Sequence, residues 1–185
     1  MIDDILLDAQ DRMERTLQST QNELSKIRTG RANLSILDSV RVSYYGSTVP
    51  VNQVANLGVP EPRMIIIQPW ERNMLGEIER AILKADIGIT PNNDGNVIRL
   101  PIPALTEQRR RDLVKVVHSQ AEDGRVAVRN VRRDALDQLK KAQKDGKISE
   151  DAQYNAGIDI QEYTDTHIKK IDEVAAAKEK EIMEV

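Results

Sequence analysis

The chain has 185 residues, with 27 Lys and Arg against 30 Asp and Glu for a net charge of -3. It contains no cysteine, no phenylalanine and one tryptophan, which excludes disulfides and thiolate metal sites and favours long helices packed through aliphatic seams over a β-sandwich. No run of about 18 apolar residues occurs, and the first residues, MIDDILLDAQ, are acidic where a secretory leader starts basic, so a soluble cytoplasmic protein without a membrane partner is expected.

Every proline lies between Pro50 and Pro103, leaving 1–30 and 104–185 free of helix breakers. In the first flank Leu6, Ala9, Met13, Thr16, Thr20, Leu24 and Ile27 recur at helical spacing, the stripe an amphipathic helix buries. Gly30 is the expected stop.

The middle holds four strand-like runs: VRVSYYG from Val40, VANLGV from Val54, RMIIIQPW from Arg63 and NVIRLPIP from Asn96. Between the third and fourth, Met74, Ile78, Ile82 and Leu83 suit a short helix on one sheet face. GITPNNDGN, 88–96, reads as a turn without a phosphate-cradling pattern. The charges of this segment balance, and it reads as a small inserted domain.

A second long helix is expected from near Leu105-Thr106, with the seam Val114, Val117, Ala121, Gly124, Val128, Val131, Ala135, Leu139 and Ala142. DGKISED then closes it at Gly146 and caps a third helix at Ser149. That helix carries Gly157, Ile160, Thr164, Ile168, Ile171, Ala175, Lys178 and Ile182 near one face. Three stripes that must each be buried imply a three-helix bundle. The expected class is α+β, with a bundle of 1–30 plus 105–185 and an inserted small β/α/β domain of 31–104. The chain crosses between them near Gly30-Arg31 and Pro103-Ala104-Leu105, which permits a hinge.

Cations concentrate in the second long helix. Arg125, Arg129, Arg132 and Arg133 fall within an arc of roughly 100°, and Arg111, Lys115, His118 and Lys140 continue it. No acid stands at the i±4 positions of Arg129 or Arg132. Clustered guanidinium groups without local carboxylates suit phosphate oxygens, which they bind through paired hydrogen bonds. With no aromatics interleaved, single-strand stacking is disfavoured and structured RNA, read through phosphate and shape, is the expected ligand. Asn130, beside the arginines, could reach a sugar hydroxyl or base edge. A solvated face, or a helical scaffold or chaperone whose basic face meets an acidic protein, is the competing reading. The only histidines, His118 and His167, lie on different helices without metal-ligand spacing, so neither catalysis nor a cofactor or metal is expected.

SKIRTGRAN (Ser25 to Asn33), YYG (Tyr44 to Gly46), ALTEQRRRDLVK (Ala104 to Lys115) and RVAVRNVRRDA (Arg125 to Ala135) together resemble the bacterial ribosome recycling factor family, in order and over essentially the whole chain. The resemblance implies an L-shaped, tRNA-like molecule of two domains joined by a hinge. It implies binding to the ribosome after peptide release and, together with elongation factor G and GTP hydrolysis by that factor, its splitting into subunits. The family's rRNA-contacting arginines correspond to Arg129, Arg132 and Arg133, and Arg28 and Arg31 of IRTGR are expected to approach large-subunit rRNA beside the hinge. The partners implied are therefore the ribosome and elongation factor G, not DNA, and a monomer is expected because each stripe already has an intramolecular partner. Leu34 and Ala104 stand where family members commonly carry proline, which frees the backbone at each crossing.

Overall fold

A computed structural model describes residues 1–184. The chain divides into two compact units, 1–29 with 107–185 and 30–106.

The first unit is made of three helices, α1 (Ile2–Ser25), α3 (Glu107–Lys144) and α4 (Glu150–Met183), each packed on the other two. At 38 residues α3 is about 57 Å long. α1 buries Ala9, Met13, Leu17, Thr20 and Leu24. Leu17 takes the central place that the sequence offers to Thr16, whose hydroxyl instead donates to Arg12 O. α3 buries the expected seam with Leu113 in place of Val114. α4 buries Ala156, Ile160, Thr164, His167, Ile171, Ala175 and Ile182, so Ala156 and His167 face inward rather than Gly157 and Ile168.

His167 is 4% exposed. Its Nδ1 lies 2.7 Å from Tyr163 O and its Nε2 3.1 Å from Glu14 Oε2. A buried ring is tolerated there because both nitrogens have partners, and the contact ties α4 to α1.

The helix ends follow the sequence at one junction and depart from it at another. Gly146, at φ +73, lets its own N–H reach Gln143 O and that of Lys147 reach Ala142 O, the paired bonds of a left-handed helix stop. Ser149 then accepts from Ala152 N at 3.0 Å, opening α4. By contrast α1 does not run to Gly30. It ends at Ser25, where Lys26 N and Ile27 N bond to Glu23 O and Leu24 O, tightening the last turn before the glycine is reached. Gly30, at φ +80, belongs to the second unit, where an added Cβ would stand 3.1 Å from Leu105 Cγ.

The second unit contains a two-stranded hairpin, β1 (Arg41–Tyr44) with β2 (Ser47–Pro50). It also contains an antiparallel sheet of order β3-β4-β6-β5, made of β3 (Ala55–Glu61), β4 (Met64–Pro69), β5 (Asn92–Asn93) and β6 (Ile98–Pro101). The VRVSYYG run is only half of the hairpin: Tyr45 and Gly46 both have positive φ, the two-residue turn that matches strand twist. Pro60 is accommodated because β3 is an edge strand and needs no N–H there. Ile65 and Ile67 of β4 and Ile98 and Leu100 of β6 are fully buried in one cluster with Val42, Ile78 and Ile82, the last two from α2 (Leu75–Ala85). Leu83, expected in this core, is exposed.

The 88–96 segment is more than a turn, since Asn92 and Asn93 pair with Arg99 and Ile98. Asp94 holds the tip: its carboxylate accepts from Val97 N and Asn96 N, both at 2.9 Å, and from Arg99. These bonds, Val97 first, bring its carboxyl down from 3.8 to about 2. A carboxyl depressed on folding stabilises the fold above its unfolded value and loses that contribution as pH falls through the folded one. Wild type is therefore expected to lose stability more steeply than Asp94→Ala between pH 3.8 and about 2, read as denaturant midpoints across that window.

Candidate nucleic-acid interface

The arginines lie on one side of α3, beside the seam that packs on α1 and α4. The i±4 rule misses their carboxylate partners, because those come from one heptad back and from the facing helix. His118, Arg125 and Arg132 are seven residues apart. They face Glu179, Asp172 and Gln161 along α4, which runs the opposite way. His118 Nε2 lies 3.0 Å from Glu179 Oε2, Arg125 Nε donates to Asp172 Oδ1 at 2.7 Å, and Arg132 meets Gln161 Oε1 at 3.5 Å. Gln161 in turn donates to Asp165 Oδ1 at 2.8 Å, so a carboxylate stands behind each member of the row.

Arg125 is the most committed of the four. Its second contact is to Glu122 Oε2 at 3.0 Å, and 24% of its side chain is exposed. The Asp172 bond, ahead of Glu122, raises its guanidinium above the ordinary value. Through these partners Arg125 fastens α3 to α4. Removing it should destabilise the bundle by about 1 kcal/mol, with most of that loss appearing as coupling to Asp172. An Arg125→Ala and Asp172→Ala double-mutant cycle in urea measures it.

The remaining cations look outward. Arg129 reaches Glu122 Oε1 at 3.4 Å with both side chains about half exposed, a pair worth little in water and readily exchanged for another oxyanion. Arg133 is exposed and, among the described residues, makes no ion pair or hydrogen bond through its side chain. Asn130, Lys115 and Lys140 are likewise exposed on α3. The face is solvated and carries several cations along one helix, which suits a large charged surface rather than a small ligand.

Arg28 and Arg31 are both exposed, but Arg28 follows α1 in the first unit while Arg31 belongs to the second. Of the expected hinge residues, Gly30, Arg31, Pro103, Ala104 and Leu105 all fall in the second unit. The entering and leaving segments are both tied to one turn, Ala32 N to Pro62 O at 2.7 Å and Ile102 N to Arg63 O at 2.8 Å. Among the described residues no group of three or more His, Asp or Glu could hold a metal ion, and no helix is long and apolar enough to cross a membrane.

The family model for ribosome recycling factor matches residues 20–183. The ribosome-recycling factor of Bacillus subtilis strain 168 is 52% identical over 185 residues, covering all of both chains, and that of Thioalkalivibrio sulfidiphilus is 54% identical over the same span. Among solved structures, a ribosome recycling factor in solution matches with TM-score 0.75 and 40% identity, over all of this chain and 98% of that one. A Thermus thermophilus ribosome recycling factor, described with elongation factor G on an Escherichia coli post-termination complex, matches over the whole of both chains with TM-score 0.64 and 43% identity.

Proposed function

The chain belongs to the ribosome recycling factor family, and on that premise we propose that it binds the post-termination ribosome and, with elongation factor G and GTP hydrolysis by that factor, drives dissociation into subunits and release from messenger RNA. Its place of action is then the cytoplasm, and it performs no chemistry of its own. The observation that carries this reading is the outward set Arg129, Arg132 and Arg133 on a 38-residue helix. These cations share one side of α3 and are weakly engaged within the chain, Arg129 by Glu122 of the same helix at 3.4 Å and Arg132 by Gln161 of α4 at 3.5 Å, so large-subunit rRNA phosphates can take them at little cost. The bundle is the anchor and lever, and the small unit receives the push of the translocase through backbone freedom at 29–31 and 103–106. Arg28, Arg31 and Asn130 add contacts to the same RNA, while Arg125 supports the face from behind.

Light scattering tests this. Post-termination ribosomes mixed with the chain, elongation factor G and GTP should lose scattering as subunits separate, and a non-hydrolysable GTP analogue should abolish the loss. Dissociation at the same rate without the chain would overturn the proposal.

A further inference from the structure

The charges of the small unit balance overall, yet they are not evenly spread. β1 alternates, with Val42 buried and Arg41 and Ser43 exposed, and Ser43 stands directly opposite Thr48 on β2. α2 packs alongside and brings Glu77, Arg80, Ala81 and Lys84 to the same side, the i, i+3, i+4, i+7 stripe of a helix. Between the hairpin and this stripe runs a groove of about 420 Å³ that also takes in Ser39.

The donors in this groove are under-used. Glu77, its one acid, is engaged by Arg80. Arg41 spends a single N–H on Asp38 O at 3.1 Å, which orients the guanidinium and leaves its other donors open. Among the described residues, the side chains of Lys84, Ser39, Ser43 and Thr48 make no hydrogen bond or ion pair. Two uncompensated cations and three hydroxyls around a concave surface form a donor set that suits the oxygens of a phosphate. The groove has no aromatic wall for a base, and only Ala81 and Ala85 offer apolar contact, too little to seat the side chains of a docked peptide.

We propose that this groove is a second RNA-backbone site: Arg41 and Lys84 bind phosphates of the ribosome, with the hydroxyls completing the contact. The inference rests on the ribosome-binding reading above, and it gives the small unit an anchoring contact of its own in addition to the push it receives. No base is read, so the contact positions the unit without selecting sequence.

The test is cosedimentation of the full chain with vacant ribosomes, without elongation factor, over a salt series. Arg41→Ala combined with Lys84→Ala should bind about tenfold more weakly, with a salt slope shallower by about two and an unchanged melting curve. Lys84→Arg should bind as wild type. If wild type binds and the double variant binds identically, the groove site is wrong while the family function stands. If wild type does not bind at all, the ribosome reading fails first and takes the site with it. Weaker binding with an unchanged slope, or a defect seen only when elongation factor is added, would assign the groove to a protein surface and overturn the RNA site.

Discussion

Arg132→Ala combined with Arg133→Ala is expected to lower affinity for vacant ribosomes by about 30- to 100-fold near physiological salt, and to make the salt slope shallower by about two. Each guanidinium that leaves a phosphate returns one set of counterions, so loss of slope counts contacts where loss of affinity alone does not. The fold should survive. Arg132 gives up only a 3.5 Å contact to Gln161, and Arg133 has no side-chain partner among the described residues, so circular dichroism and the melting curve should be close to wild type. Arg125→Ala is expected to behave in the opposite way, with a visible stability loss and less effect on the slope, because its donors are already engaged by Asp172 and Glu122. Cosedimentation from about 50 to 200 mM salt separates the two patterns. A full-strength slope in the double variant would mean that other cations hold the RNA.

The largest effect on stability is expected at Gly124. Glycine in a helix interior costs about 1 kcal/mol relative to alanine, yet α3 keeps one near its middle. A Cβ added there would lie 2.5 Å from Thr20 Oγ1, 3.1 Å from Thr20 Cγ2 and 3.3 Å from Ile171 Cδ1. All three helices therefore meet at a point that only a hydrogen atom fits. Thr20 is buried and its hydroxyl is committed to Thr16 O at 2.9 Å, so a short, fixed side chain stands in the way rather than the far end of a flexible one.

Gly124→Val gains only a few tenths of a kcal/mol of helix propensity over glycine and drives two further methyl groups into the same contact, so it should cost about 3 kcal/mol or more. Gly124→Ala sets a helix-propensity gain of about 1 kcal/mol against the same clash and should come out destabilising. Thr20→Ala removes both of the closest atoms. The pair Gly124→Ala with Thr20→Ala should therefore recover about 1 to 2 kcal/mol relative to the sum of the single changes. Urea unfolding of the four proteins measures the coupling, and simple additivity would show that the clash is relieved elsewhere.

The mixture of long helices with a small sheet was legible because prolines confined to the middle and aliphatic repeats in the flanks are strong, long-range patterns. In α3 every seam residue but one stood where the spacing put it, Leu113 replacing its neighbour Val114. What escaped was set by backbone conformation that residue type does not dictate, or by a partner distant in sequence. The end of α1 depends on a tightened last turn at Glu23 and Leu24, not on the next glycine. The hairpin in VRVSYYG turns on Tyr45 at φ +45, a conformation a tyrosine rarely takes and that composition does not announce. His167 is buried because Glu14, 153 residues away, meets its ring.

The candidate site divides in the same way. Its arc of arginines followed from 100° per residue, but their commitments did not, because Asp172, Gln161 and Glu179 approach from α4. One signal was available: His118, Arg125 and Arg132 recur every seven residues, as do Asp165, Asp172 and Glu179 on the antiparallel helix. Matching heptads of opposite charge would have distinguished the supporting Arg125 from the outward Arg133.

The claim that the arginine face of α3 lies against large-subunit rRNA is tested most directly by tethered cleavage. The chain has no cysteine, so a single Val126→Cys, at an exposed position three residues before Arg129 and seven before Arg133, can carry an iron chelate that cuts nearby RNA. Gln18→Cys, exposed on α1, is the control. On ribosomes saturated with each protein, the account predicts cleavage of large-subunit rRNA from position 126 that fades as salt rises, and weaker or different cuts from position 18. Cleavage from position 18 with none from position 126 would contradict it, and would turn the arginine face away from the RNA.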